Sequence, residues 1–142
     1  MTEAKTVVRV ASGAVVFENE SVDAKIMLVT STKDSSRWVL PKGGVEENLT
    51  AVQNADKETR EEAGVAAQFF EEIDRFECEG KAGWQEEIYF RGVFVSWVDW
   101  EEFRIRKREW VDMRTAIGRL SSEQGDIVLK AYGLQARAAT VV

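Results

Sequence analysis

Histidine is absent from the chain, and cysteine and proline occur once each, as Cys78 and Pro41. Without histidine, Ser-His-Asp catalysis and imidazole-based zinc sites are excluded. Cys78 has no imidazole partner to activate it, so it reads as a strand residue rather than a nucleophile. One cysteine also permits no intramolecular disulfide, which fits a reducing compartment. No apolar run is long enough to span a bilayer, and Met1–Lys5 lead into no core of signal-peptide length. A cytoplasmic location, with the nucleus included, and no membrane partner are therefore expected. Chemistry is left to carboxylates, lysine, arginine, hydroxyls and metal ions.

What is present suits one α+β domain over residues 1–142, with its core at about 6–137. Apolar residues make up 44%, enough for a sizeable core, and the 31% charged residues mix both signs along the chain. The net charge of −6 argues against sequence-independent binding to nucleic acid or anionic membrane. A local cationic pocket for a small polyanion remains open, and the carboxylate excess suits divalent cations.

Residues 6–17 read as a buried strand, 18–23 as a polar turn and 25–30 as the hairpin partner. A loop over 31–36 leads to the apolar run at 38–40. Pro41 and Gly43-Gly44 are expected to break regular structure. Thr50 and Gln53 form a capping box for a helix that Gly64 ends. Residues 68–79 and 87–98 read as a second hairpin around 80–83, and 108–111 as a short strand. Asp112 caps a short helix to 120; Ser121 with Gln124 caps another to about 136. Trp38, Phe90, Phe94, Trp97, Trp100 and Trp110 are assigned to the core, and Trp84 beside the 80–83 turn to the core or to stacking on an adenine.

The stretch 41–65 carries the chemistry. At 100° per residue Glu58, Glu61 and Glu62 share one helix side with Asn54 near them, while Val52, Ala55, Thr59 and Ala63 form a small-residue stripe for the sheet. Three clustered carboxylates near a helix C-terminus repel each other and oppose the macrodipole. A divalent cation among them reverses both effects, and hard oxygen donors suit Mg2+ or Mn2+. The same cluster also reads as a solvated acidic face partnered by Lys57 and Arg60. The Gly43-Gly44 turn tips the balance, because it lets backbone approach a diphosphate–metal complex closely.

This segment resembles the Nudix box, G-x5-E-x7-R-E-U-x-E-E-x-G-U, with U a bulky aliphatic residue. Gly43, Glu58, Glu61, Glu62, Gly64 and Val65 fall in register; Leu49, Lys57 and Thr59 depart from it. Leucine cannot pair with a cation and lysine lacks the planar fork of arginine. The run Trp38–Gly44 and Arg106-Lys107-Arg108-Glu109-Trp110 extend the likeness to diphosphoinositol polyphosphate phosphohydrolases. The resemblance implies an α/β/α sandwich with a mixed sheet between helices. It also implies hydrolysis of phosphoanhydrides in diphosphoinositol polyphosphates and long diadenosine polyphosphates. Glu58, Glu61, Glu62, the Lys42 carbonyl and Gly43 would then hold Mg2+ or Mn2+, and Glu58 or Glu62 would serve as base. Arg9, Ser31, Lys33, Arg37, Lys42, Gly43, Gly44 and Lys130 would receive substrate, with Arg106-Lys107-Arg108 read mainly as a solvated run. Two alternatives stand beside this one. The first is a nucleotide-directed Nudix pyrophosphatase for dinucleoside tetraphosphates, nucleoside triphosphates or mRNA cap, the cap being the one nucleic-acid substrate envisaged. The second is a non-catalytic ligand sensor, which the three departures motivate. Oligomeric state is left open.

Overall fold

In the computed structural model, which describes residues 6–80 and 82–140, a mixed seven-stranded sheet lies between one helix on one face and two on the other. Met1–Lys5, Lys81 and residues 141–142, on which parts of the terminal and turn readings fall, lie outside the described residues. The elements are β1 (Val7–Phe17), β2 (Ile26–Thr30), β3 (Trp38–Val39), β4 (Lys42–Gly44), α1 (Ala51–Ala63), β5 (Val65–Gly80), β6 (Gly83–Trp97), β7 (Arg108–Val111), α2 (Met113–Arg119) and α3 (Ser122–Thr140).

Strand alternation divides the core. From β1 and β2, Val15, Phe17, Ile26 and Leu28 face α2 and α3, where they meet Ala116, Ile127, Val128 and Ala131. Ala14, Val16, Met27 and Val29 face the other way, against Ala63 and Val65 at the end of α1. Both strands are covered on both sides, which explains their near-continuous apolar sequence. β1 runs parallel to β6, and β5–β6 form the long hairpin. That hairpin reaches further toward its turn than the alternation suggested, because β6 pairs along the length of β1 even where Gln85 and Glu86 make it polar.

One expectation is corrected at Pro41-Lys42-Gly43-Gly44. Lys42–Gly44 forms a short strand, antiparallel to β1 through Ala11↔Gly44, Ser12↔Gly43 and Gly13↔Lys42. β1 and β2 meet at Phe17↔Ile26, so the start of β1 needs another partner. The chain from β3 to β4 supplies it, passing from β2, which β3 pairs, to β1. At the crossing the Pro41 carbonyl accepts from the Ala14 N–H at 3.1 Å, a role that needs no proline N–H.

The aromatic expectation is corrected too. The largest fully buried rings are Tyr89 and Phe17, whereas Trp97 is 50% exposed. Trp38, Phe94 and Trp110 pack half-buried at the rims of the two core clusters. Arg108 explains why Trp97 and Trp100 stay near the surface: its guanidinium lies 4.2 and 4.1 Å from their ring centres.

Candidate active site

Helix α1 starts as read, with the reciprocal Thr50–Gln53 capping box, and ends at Gly64 in the left-handed region (φ 66°). Its buried side includes Ala55, Thr59 and Ala63 but also Asn54 and Glu62, so the packed stripe is rotated toward the acidic residues. Thr59 is accommodated because its hydroxyl donates to the Ala55 carbonyl at 2.7 Å. Asn54 ties helix to glycine turn. Its amide donates to the Gly43 carbonyl (3.0 Å) and to Ser12 Oγ (3.1 Å), and its oxygen accepts from the Glu46 N–H (3.3 Å).

Glu62 is the innermost acid, 4% exposed. One oxygen accepts from the Lys42 N–H at 3.2 Å and the other faces Arg106 Nη2 at 3.5 Å. Burial pushes its carboxyl up to about 9; Arg106 opposes that shift, and a shared hydrogen bond and charge repulsion from Glu58 add to it. Glu58 in turn sits on Gly43. A Cβ at position 43 would stand 2.5 and 2.6 Å from the two Glu58 oxygens, so only glycine lets the acid lie against the turn.

Glu61 points differently. Lys57 Nζ stands 2.8 Å from Glu61, 3.6 Å from Glu58 and 3.2 Å from Glu46. Its hydrogen bond to Glu61 holds the ammonium well above the usual lysine range. Arg60, the other proposed partner of the acidic face, pairs with Asp56 at 3.2 Å. Among the described residues no three His, Cys, Asp or Glu side chains converge in the way an ion requires. The donor chemistry nevertheless fits a hard divalent cation. Glu58 lies against Gly43 and Glu62 accepts from the Lys42 N–H beside it, and Glu58 and Glu61 already hold a positive charge between them.

The C-terminal carbonyls of α1 are all satisfied. Gly64 N–H reaches Arg60, two donors come from the connection between β6 and β7, and a third from Arg108 at the start of β7. Glu102 N–H bonds the Glu61 carbonyl (3.2 Å), Trp100 Nε1 that of Glu62 (2.7 Å) and Arg108 Nη1 that of Ala63 (2.8 Å).

A cavity of about 410 Å³ opens beside Glu62. Ser31, Lys33, Arg37 and Lys42, all expected at the site, line it together with Thr32. The others lie elsewhere. Arg9 rests its guanidinium against Gly44, Glu58 and Gly43 form the turn–helix contact, and Glu61 pairs with Lys57; none of them lines the cavity. Lys130 pairs with Asp74 at a separate recess of about 160 Å³. Trp84 is not among the lining residues.

The sequence reading missed several members of the wall. Arg106, counted within a solvated run, is held inward by Glu102 (2.6 Å) and the Thr30 carbonyl (2.8 Å). Glu87 is buried, accepting from Tyr89 Oη (2.7 Å) and Gln85 Nε2 (2.8 Å) and facing Lys42 Nζ at 3.6 Å. Its place between Gln85 and Tyr89 on one side of an alternating strand was the available signal. Glu79, Glu123 and Gln124 complete that side and carried none. Cys78 is the expected strand residue; burial pushes its thiol up to about 11, away from nucleophilic use.

A NUDIX domain model matches residues 7–130. The chain belongs to the Nudix hydrolase family. Diphosphoinositol polyphosphate phosphohydrolase 3-beta of Bos taurus is 32% identical over 103 residues, covering 71% of this chain and 62% of that protein. The 3-alpha protein of Homo sapiens is similar to the same extent. This Nudix chain thus spans 62% of the length of those curated relatives. Among solved structures, a C. elegans Ap4A hydrolase in a binary complex superposes with a TM-score of 0.78 at 22% identity, over 91% of this chain and 98% of that one. At that identity the likeness speaks to the fold, an α/β/α arrangement with a mixed sheet.

Proposed function

We propose that this Nudix domain is a divalent-metal-dependent hydrolase of phosphoanhydride bonds in diphosphoinositol polyphosphates and long diadenosine polyphosphates. The observation that carries the reading is the seam between turn and cavity. Glu58 lies against Gly43, Glu62 accepts from the adjacent Lys42 N–H, and Glu62 forms the inner wall of a cavity whose rim carries Lys33, Arg37, Lys42 and Arg106. Glu58 and Glu62, with Glu61 and the backbone carbonyls of Lys42 and Gly43 beside them, would hold Mg2+ or Mn2+. Such an ion neutralises diphosphate oxygens and makes a water more acidic.

The chain's own groups do the rest. Four cations, of which Lys42 and Arg106 are held by Glu87 and by Glu102 with the Thr30 carbonyl, and the Ser31 hydroxyl bind and orient a multiply phosphorylated ligand. Glu58 or Glu62, ionised once a cation is held beside it, would take up the proton that water gives as it attacks phosphorus, in the manner of a general base held within reach. Positioning and charge neutralisation account for catalysis of this kind. The relatives that bear the diphosphoinositol polyphosphate phosphohydrolase name support the substrate class. A nucleotide-directed reading draws on Glu79, Glu87 and Glu123, which put negative charge into the same cavity and suit a ligand with hydrogen-bond donors at one end.

The test is phosphate release, with Mg2+ or Mn2+, from 5-pyrophosphorylated inositol phosphate, diadenosine hexaphosphate and nucleoside triphosphates. Wild type should turn over the first two, and Glu62→Gln should lose at least about 100-fold. Full activity in that variant would refute the site. Turnover of triphosphates alone would move the assignment to nucleotides, and tight binding without turnover would make the domain a sensor.

A further inference from the structure

Lys57 occupies a singular place. The motif position eight residues before it, where a carboxylate would pair with it, is Leu49. Its ammonium has turned instead toward Glu61 at 2.8 Å and Glu58 at 3.6 Å, the acids that a divalent cation would engage. Its third partner, Glu46 at 3.2 Å, belongs to the loop before α1, and is far more exposed than the other two (56% against 29% and 13% for the side chains). The Glu46 N–H is tied to Asn54, which fixes that acid relative to the helix. An ammonium and a divalent ion cannot both sit between Glu58 and Glu61 without strong repulsion.

We propose that Lys57 is an internal cation that competes with the divalent metal for Glu58 and Glu61, and that Glu46 is the acid onto which it withdraws when the metal enters. The proposal rests on the reading of Glu58, Glu61 and Glu62 as the metal ligands. It makes Lys57 and Glu46 positioning residues. The site keeps its acids folded together without metal, and metal affinity is lowered by the work of moving the ammonium aside. The two departures at 49 and 57 thereby become a change in metal demand rather than a loss of the site. Because the carboxylate at 46 is half in water, its hold on Lys57 is modest and the exchange is reversible.

The test is Mn2+ binding to the whole chain, followed by calorimetry and by the electron paramagnetic resonance of free Mn2+, without substrate. Thermal melts confirm folding. Lys57→Met should tighten Mn2+ binding by about tenfold, and Lys57→Arg should stay close to wild type. Glu46→Gln should weaken binding by about threefold in the wild-type background and have no effect beside Lys57→Met. Equal or weaker binding in Lys57→Met overturns the proposal, as does an equal Glu46→Gln effect in both backgrounds. If Glu58→Gln and Glu62→Gln leave Mn2+ binding intact, the metal site itself is wrong and the proposal falls with it. If those two abolish binding while Lys57→Met changes nothing, the site stands and only the competitor role is lost.

Discussion

Gly43→Ala isolates the contact between turn and acid from the rest of the fold. The added methyl carbon would stand 2.5 and 2.6 Å from the Glu58 oxygens, roughly 1 Å inside the ordinary contact distance of about 3.5 Å. Glu58 is the end of a flexible side chain, so it can swing away; the backbone at 43 has no positive φ to be strained by alanine. The cost to folding is therefore small, about 1 kcal/mol, or a fall of a few degrees in Tm. The cost to chemistry is large, because a shift of about 1 Å in a reacting group lowers rate by about 100-fold. Circular-dichroism melts and phosphate release should be measured on the same preparation, with Mn2+ affinity alongside. Activity within about threefold of wild type would refute the assignment of Glu58 to the reacting centre. A loss matched by unfolding would refute the claim that the contact is local.

Glu62 makes the metal-free protein pH-sensitive. Its carboxyl titrates near 9 in the fold against an ordinary 4.5, so the fold holds a proton that the unfolded chain has released. That stability is fully present below the unfolded value and is lost as pH rises through the folded one; Tm in chelator should fall between pH 5 and 9, and Glu62→Gln should flatten the trend. Gln135 is fully buried, donating to the carbonyls of Asn19 (2.8 Å) and Ser21 (3.1 Å) and accepting from Arg91 (2.7 Å). Gln135→Leu should cost about 2–4 kcal/mol in urea unfolding, with unchanged turnover per folded molecule. Gly133 lies within α3 with open space where a side chain would go, so Gly133→Ala should raise stability by about 0.5–1 kcal/mol. A lower midpoint in urea would contradict that placement.

Local signals were the legible ones. The capping box at Thr50, the stop at Gly64 and the caps at Asp112 and Ser121 each depend on a few adjacent residues, and each stands in the structure. The helical spacing of Glu58 and Glu62 brings both to the turn, whereas Glu61, on the same side by spacing, turns to Lys57. What escaped depends on partners distant in sequence. The β4 ladder exists because β1 and β2 diverge, which no window around Pro41 reveals. Arg106 turns inward because Glu102 and the Thr30 carbonyl receive it, and Lys130 turns away because Asp74 does. A basic residue announces its charge in the sequence; its direction is decided by whichever acceptor the fold brings near.

The connection after β6 grips the last carbonyls of α1 through Trp100 and Glu102, joined by Arg108 where β7 begins, and from the same connection Arg106 reaches Glu62. Its outer residues Phe103 and Ile105 are left to solvent. Lengthening or shortening this surface segment would rotate the end of the helix, and the acids with it, while leaving every letter of the signature unaltered. A lineage can thus retune its chemistry by editing a stretch that alignments of the motif never inspect.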